Sequence, residues 1–231
     1  MIQKDIVPIK NLLSTVELIS RKEGHHKSKS FEMLLDFIAF ISNFQVDATS
    51  PLKPTTLEEL NKTFDKSLFM MQREDFLGRV YEELGMGDFK KGQYFTPMTI
   101  CDMMAQMTID CENKTYPVTV LDPCVGSGRM LLSAYKILGF KGLYFGCEID
   151  RLVYKIAVMN SYFWQIPMLI LNANALYVNL SPGSKNWTQA GNTWEPPSWD
   201  SLESITSEEQ KEMVMTTIQQ NQKFGEQMTL F

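Results

Sequence analysis

The chain has 231 residues, 44% of them hydrophobic, and a formal net charge of −5. That length and apolar fraction make one ordinary domain, or a small helical domain beside a compact α/β one, and exclude a chain disordered throughout. The acidic balance argues against strong autonomous binding to duplex DNA, which needs a basic face to displace counterions, but leaves room for a local basic patch or a partner that supplies the grip.

In chain order, Met1-Ile2-Gln3-Lys4-Asp5 lacks the basic start and long apolar run of a signal peptide. The pair His25-His26 stands in a charged, Ser-rich linker and is expected to be solvated. Between Phe31 and Phe44, residues Phe31, Leu34, Leu35, Ile38, Ile41 and Phe44 fall at helical spacing and predict a helix with its apolar face inward. The apolar cluster Met33 to Ile41 is broken by Asp36 and is too short to span a bilayer. After Ser50-Pro51 and Pro54, Thr56 starts a second helical stretch, with Glu58 and Glu59 in its first turn. Glu74 to Leu84 reads as another helix, ended by Gly85-Met86-Gly87. Residues 1–90 are therefore expected to form a mainly helical region.

From Pro117 the pattern changes. Val118 to Leu121 is a short β-rich run that ends at Asp122-Pro123-Cys124-Val125-Gly126-Ser127-Gly128, and Arg129 to Leu138 continues as a helix. Gly142 to Cys147 predicts a second strand, Arg151 to Trp164 a second helix and Met168 to Leu171 a third strand. This alternation predicts parallel βαβ units within an α/β domain spanning 91–200. The rhythm stops after Leu180. Ser181 to Ser198 is rich in Ser, Pro, Gly, Asn and Trp, and Glu203 to Gln222 reads as a polar helix within a terminal segment, 201–231. Cys101, Cys111, Cys124 and Cys147 show no CxxC spacing, so neither a zinc site nor a disulfide framework is expected, and a reduced, cytoplasmic compartment is the simple reading.

The glycine loop carries the chemistry. Gly126 and Gly128 remove the Cβ atoms that would bar a ligand, and the helix after them points unpaired N–H groups at that space, which suits a carboxylate or a phosphate. Asp122 could accept from a ligand ammonium or brace the loop. Glu148 follows the second strand, close to the roughly 20-residue spacing at which a doubly wound fold presents a carboxylate to ribose hydroxyls. Asn174, just past the third strand, could reach the edge of a base.

Asp122-Pro-Cys-Val-Gly-Ser-Gly128 resembles the first motif of amino-methyltransferases acting on DNA. Asp75 to Glu83, followed by Gly92-Gln93-Tyr94-Phe95-Thr96-Pro97, is similar to the stretch leading into that site in the modification subunits of type I restriction systems, within the adenine-specific N6 DNA methyltransferases. Gly146-Cys-Glu-Ile-Asp150 resembles the second motif, and Asn174-Ala-Leu176 the third, where the family more often has Asp-x-Leu. The resemblance implies a Rossmann-like fold, S-adenosylmethionine as cofactor and DNA as partner. It implies that Tyr94, Phe95, Thr96 and Pro97 wall the methionine end, that Asp122, Gly126 and Gly128 line the amino-acid moiety, that Glu148 holds the ribose and that Asn174 meets the adenine.

The family's catalytic motif is Asn/Asp-Pro-Pro-Tyr/Phe, at the end of a fourth strand beside the first. Its best match is Glu195-Pro196-Pro197-Ser198-Trp199, with Glu in the Asn/Asp place and Ser in the aromatic place. Few residues follow, so the sheet is expected to be incomplete, with the first strand as an edge that a later segment, a second copy or a partner would cover. Gln227-Met228-Thr229-Leu230-Phe231 resembles the short peptide by which bacterial proteins dock on the DNA sliding clamp, with Gln227, Leu230 and Phe231 as its anchors. Two functional readings follow: N6-adenine methylation of DNA, alone or completed by a partner such as a specificity subunit, or an inactive interaction protein that keeps the cofactor pocket. A dinucleotide-binding oxidoreductase also uses a glycine loop and a strand-end acid, but leaves Asp122-Pro123 and Gly92 to Pro97 unexplained.

Overall fold

A computed structural model describes residues 6–41, 52–70, 72–87, 94–109, 118–166 and 168–176. They fall into two compact units, one running to Phe95 and taking in Phe163–Gln165, the other covering Thr96–Tyr162 and continuing from Ile166.

The first unit is helical. Helix α1 (Ile6–Glu23) buries Ile9, Leu12, Val16 and Ile19, a stripe at three- and four-residue spacing, and packs on α2 (Lys27–Ile41). The expected linker is shorter than the sequence suggested. Lys27-Ser-Lys-Ser30 forms the first turn of α2, and only Gly24, His25 and His26 connect the helices, the histidines both exposed. The serines that read as linker serve the turn: Ser20 and Ser30 hydroxyls both donate to the His25 carbonyl. Helix α3 (Pro54–Thr63) starts on a proline and is tied to α1 through Glu23, whose carboxylate accepts from Lys53 N at 3.0 Å and Thr56 Oγ1 at 2.6 Å.

Helix α4 (Phe76–Glu83) begins two residues later than the sequence suggested. Asp75 acts as its N-cap, accepting from Gly78 N at 2.7 Å. Aromatic rings fill the interior: Phe69 stands 5.6 Å from Phe64, 6.0 Å from Phe76 and 5.4 Å from Phe163. The fully buried Trp164 donates its indole N–H to the Glu74 carbonyl at 3.0 Å.

The second unit is α/β. Its order is α5 (Met98–Thr108), β1 (Val118–Asp122), α6 (Arg129–Leu138), β2 (Gly142–Glu148), α7 (Arg151–Trp164, whose last residues belong to the first unit) and β3 (Met168–Asn172). The strands form one parallel sheet ordered β1-β2-β3, with Val118 opposite Gly142 and Tyr144 opposite Met168. This is the Rossmann-like arrangement expected from the alternation of strands and helices. Central β2 is buried from Gly142 to Cys147, as a parallel strand covered on both faces must be, whereas β1 alternates and leaves Leu121 38% exposed. Among the described residues β1 pairs with β2 alone. The sequence assigned no element to Met98–Thr108. This stretch forms α5, which sets Cys101 and Ala105 inward and joins α6 through Asp102, the acceptor for Ser133 Oγ at 2.6 Å and Lys136 Nζ at 2.9 Å.

No helix of the described residues is long and apolar enough to cross a membrane. Gly92, Gln93, Glu195, Pro196, Pro197, Gln227, Leu230 and Phe231, and the polar helix expected over 203–222, lie outside the described residues.

Candidate functional site

The chain leaves β1 at Asp122 and enters α6 at Arg129, and the loop between them is pinned from beneath. Val125 N donates to Cys147 O at 2.9 Å, which seats the loop on β2. Val125 comes so close to the strand that a Cβ on Gly146 would lie 2.8 Å from its Cγ2 and 2.9 Å from its Cβ. Gly146 is therefore a site residue that the glycine-loop pattern does not reveal. Its requirement comes from a valine of the loop packed on it, although the resemblance to the second motif begins at this residue.

Gly126 and Gly128 adopt φ of +56° and +96°, the left-handed region that L side chains rarely enter. Gly128 is also the N-cap of α6 and, as a glycine, has no side chain of its own to cap it. The start of this helix faces the loop, an arrangement that suits an anion such as a carboxylate.

Glu148 connects the loop with the end of β2. Its Oε2 accepts from Gly126 N at 3.1 Å and its Oε1 from Asp150 N at 2.9 Å. A carboxylate has about four lone-pair positions, so each oxygen keeps acceptor capacity for a hydroxyl. The sequence suggests this carboxylate for ribose hydroxyls and does not reveal that it also orders the protein's own backbone. Asn172, at the end of β3, donates to Glu148 O at 2.8 Å and Ile149 O at 3.3 Å, and fixes the turn that carries the carboxylate. Asn174 lies just beyond, its Oδ1 accepting from Leu176 N at 3.0 Å.

Asp122 braces the loop, accepting from Cys124 N at 3.0 Å. Burial raises its pKa above the usual aspartate value, and the hydrogen bond from Cys124 N offsets only part of that cost. A cationic group beside it would reverse the penalty, so the site suits a ligand bearing an ammonium. A carboxyl whose pKa rises on folding costs stability at every pH above its unfolded value, up to a plateau beyond its folded one. Asp122→Asn keeps the acceptor and removes the charge. It is expected to make the ligand-free protein more stable at neutral pH, with the gain vanishing below about pH 4, while weakening binding of an ammonium-bearing ligand. Denaturant titrations at both pH values check the sign.

The upstream motif divides between the units. Thr96 and Pro97 open the second: the Thr96 carbonyl accepts from Arg129 Nη1 at 3.3 Å and Cys101 Sγ at 3.5 Å, so the buried Arg129 ties this segment to the start of α6. Tyr94 and Phe95 belong to the first unit, where Phe95 stands 5.5 Å from Tyr81 and Tyr94 is 65% exposed. The structure thus gathers Asp122, Gly126, Gly128 and Glu148 at one end of the sheet and links Thr96 to them through Arg129. Cys124 is an exposed free thiol on this loop; Cys147 is buried beneath it, and burial pushes that thiol's pKa up.

A helix start that suits a carboxylate, a half-buried acid that suits an ammonium, a bare glycine floor and a strand-end acid that suits hydroxyls fit a nucleoside that carries an amino-acid tail. Comparison with known proteins agrees. The family model described as N-6 DNA Methylase matches residues 72–229. Among solved structures, one assigned as a class I S-adenosylmethionine-dependent methyltransferase from Listeria monocytogenes aligns with a TM-score of 0.54 at 16% identity, over 77% of this chain and 55% of that one. A type I restriction-modification system methyltransferase subunit from Streptococcus thermophilus aligns with a TM-score of 0.43 at 17% identity, over 77% of this chain and 60% of that one. The chain therefore spans less than two thirds of either structure.

Proposed function

The chain belongs to the N-6 DNA Methylase family, and we propose that it binds S-adenosylmethionine in the glycine-loop site and takes part in methyl transfer to the N6 amine of adenine in DNA. The observation that carries this reading is the Glu148 carboxylate on the Gly126 amide, which joins the first and second motifs into one preformed cradle. Asp122 and the start of α6 would hold the amino-acid end, Glu148 the ribose, Thr96 and Pro97 the methionine wall and Asn174 the adenine edge.

The cofactor supplies a methyl group activated on a sulfonium centre. The protein's remaining task is at the acceptor. The adenine amine gains positive character as it is methylated and must then shed a proton, so a hydrogen-bond acceptor has to stand beside it and the base must leave the duplex stack. Glu195, before Pro196-Pro197, is our candidate for that acceptor. With a net charge of −5, the grip on DNA is assigned to a partner subunit or a second copy.

Labelled methyl transfer to adenine-containing DNA tests this reading. Wild type, with its partner where one is required, is expected to label N6, and Glu195→Ala is expected to reduce the rate by at least about 100-fold. No transfer by a protein that still binds the cofactor would favour an inactive interaction protein that keeps the pocket, the reading to which Ser198 in the aromatic place of the motif points.

A further inference from the structure

Asn160 stands in the middle of α7 and is 1% exposed, among Ile156, Ala157, Met159 and Ser161, all buried. Asparagine is a poor choice there. It is a weak helix former, and its amide loses hydration that a leucine would not need. Its Nδ2 donates to the Ser127 carbonyl at 2.9 Å, reaching the middle of the glycine loop from a helix well down the chain.

The Ser127 carbonyl and the Gly128 N–H belong to one peptide unit. The N–H of that unit donates to Val125 O at 2.9 Å, closing the tight turn. Gly128, at φ +96°, offers little steric resistance to a flip of this peptide, because glycine populates both signs of φ about equally. A flip would break the turn and re-aim the backbone that opens α6. Val125 N on Cys147 O and Gly126 N on Glu148 also pin the loop, and both act before this peptide. We infer that Asn160 is a positioning residue for the cofactor loop: it locks the Ser127–Gly128 peptide so that the start of α6 is presented to the ligand before the ligand arrives. This rests on the proposed cofactor reading for its purpose, but not for its geometry.

The test uses the full chain with Asn160→Leu, which keeps the branched shape and removes the donor, and Asn160→Ser, which is too short to reach. Two readouts are taken well below the melting temperature: amide hydrogen exchange from Gly126 to Arg129 without ligand, and the Kd for S-adenosylhomocysteine. Loss of one buried hydrogen bond is expected to speed Gly128 exchange about tenfold in both variants and to weaken binding by a similar factor, with exchange in β2 and β3 unchanged. Should Asn160→Leu fail to fold, Asn160→Ser carries the comparison. Wild-type exchange at Gly128 in a folded variant overturns the inference. If wild type does not bind S-adenosylhomocysteine, the proposed function fails, and the exchange measurement still decides the role of Asn160.

Discussion

Gly146→Ala is expected to disable the cofactor loop. The new methyl would stand 2.8 Å from Val125 Cγ2 and 2.9 Å from its Cβ, distances real Cβ atoms do not sustain. Val125 cannot swing aside freely. It is β-branched, 4% exposed, and held by its own N–H to Cys147 O. The strain must therefore move the loop off β2 or bend the central strand. Overpacking of this kind costs about 1–3 kcal/mol, and the displaced Gly126 amide would draw away from Glu148. Denaturant unfolding should show the stability loss, and cofactor affinity should fall by at least about tenfold, since about 1.4 kcal/mol corresponds to a factor of ten. Adding Val125→Ala removes two of the three close atoms and should recover part of both losses, a coupling that a double-mutant cycle reads directly. Full binding by Gly146→Ala would show that the loop does not need its seat on β2.

Glu148→Ala is the second large effect, because one side chain has two duties. In the ligand-free protein it removes the acceptor for both Gly126 N and Asp150 N. Each amide left without a partner costs about 1–3 kcal/mol if water cannot replace the acceptor. Glu148 is only partly buried, so the sum should lie toward the lower end of that range. The variant should unfold at lower denaturant, with faster amide exchange at Gly126 and Asp150 before any ligand is added. Unchanged exchange at Gly126 would mean that the carboxylate does not hold the loop.

These two residues also show what could be read from the chain. The strands and helices from Val118 to Leu171 follow from an apolar run, a glycine loop and a repeat of the same rhythm, and the structure places them within a residue of the predicted ends. Local signals suffice for such units because each strand and helix advertises its own burial. Asp122, Gly126, Gly128 and Glu148 were legible for a related reason: strand ends and positive-φ turns restrict residue types locally. Gly146 and Asn160 were not. One answers to a valine on a neighbouring loop, the other to a carbonyl of the glycine loop 33 residues earlier, and neither constraint leaves a mark near its own position. Helix α5 is not legible in the sequence because its stripe Ile100, Met103, Met104 and Met107 is exposed rather than turned inward, so spacing alone does not name its packed face. Lys27-Ser-Lys-Ser30 reads as solvated loop by composition, although it forms the first turn of α2 and its hydroxyls favour a helix start.

The central claim, a preformed S-adenosylmethionine cradle centred on Glu148, is tested most directly by calorimetric titration of S-adenosylmethionine into wild type and into Glu148→Gln, which keeps the volume but replaces one acceptor oxygen with a donor. Saturable one-to-one binding by wild type, weakened by at least about tenfold in the variant, is the predicted result. No binding by wild type, or equal affinity in the two proteins, would contradict it.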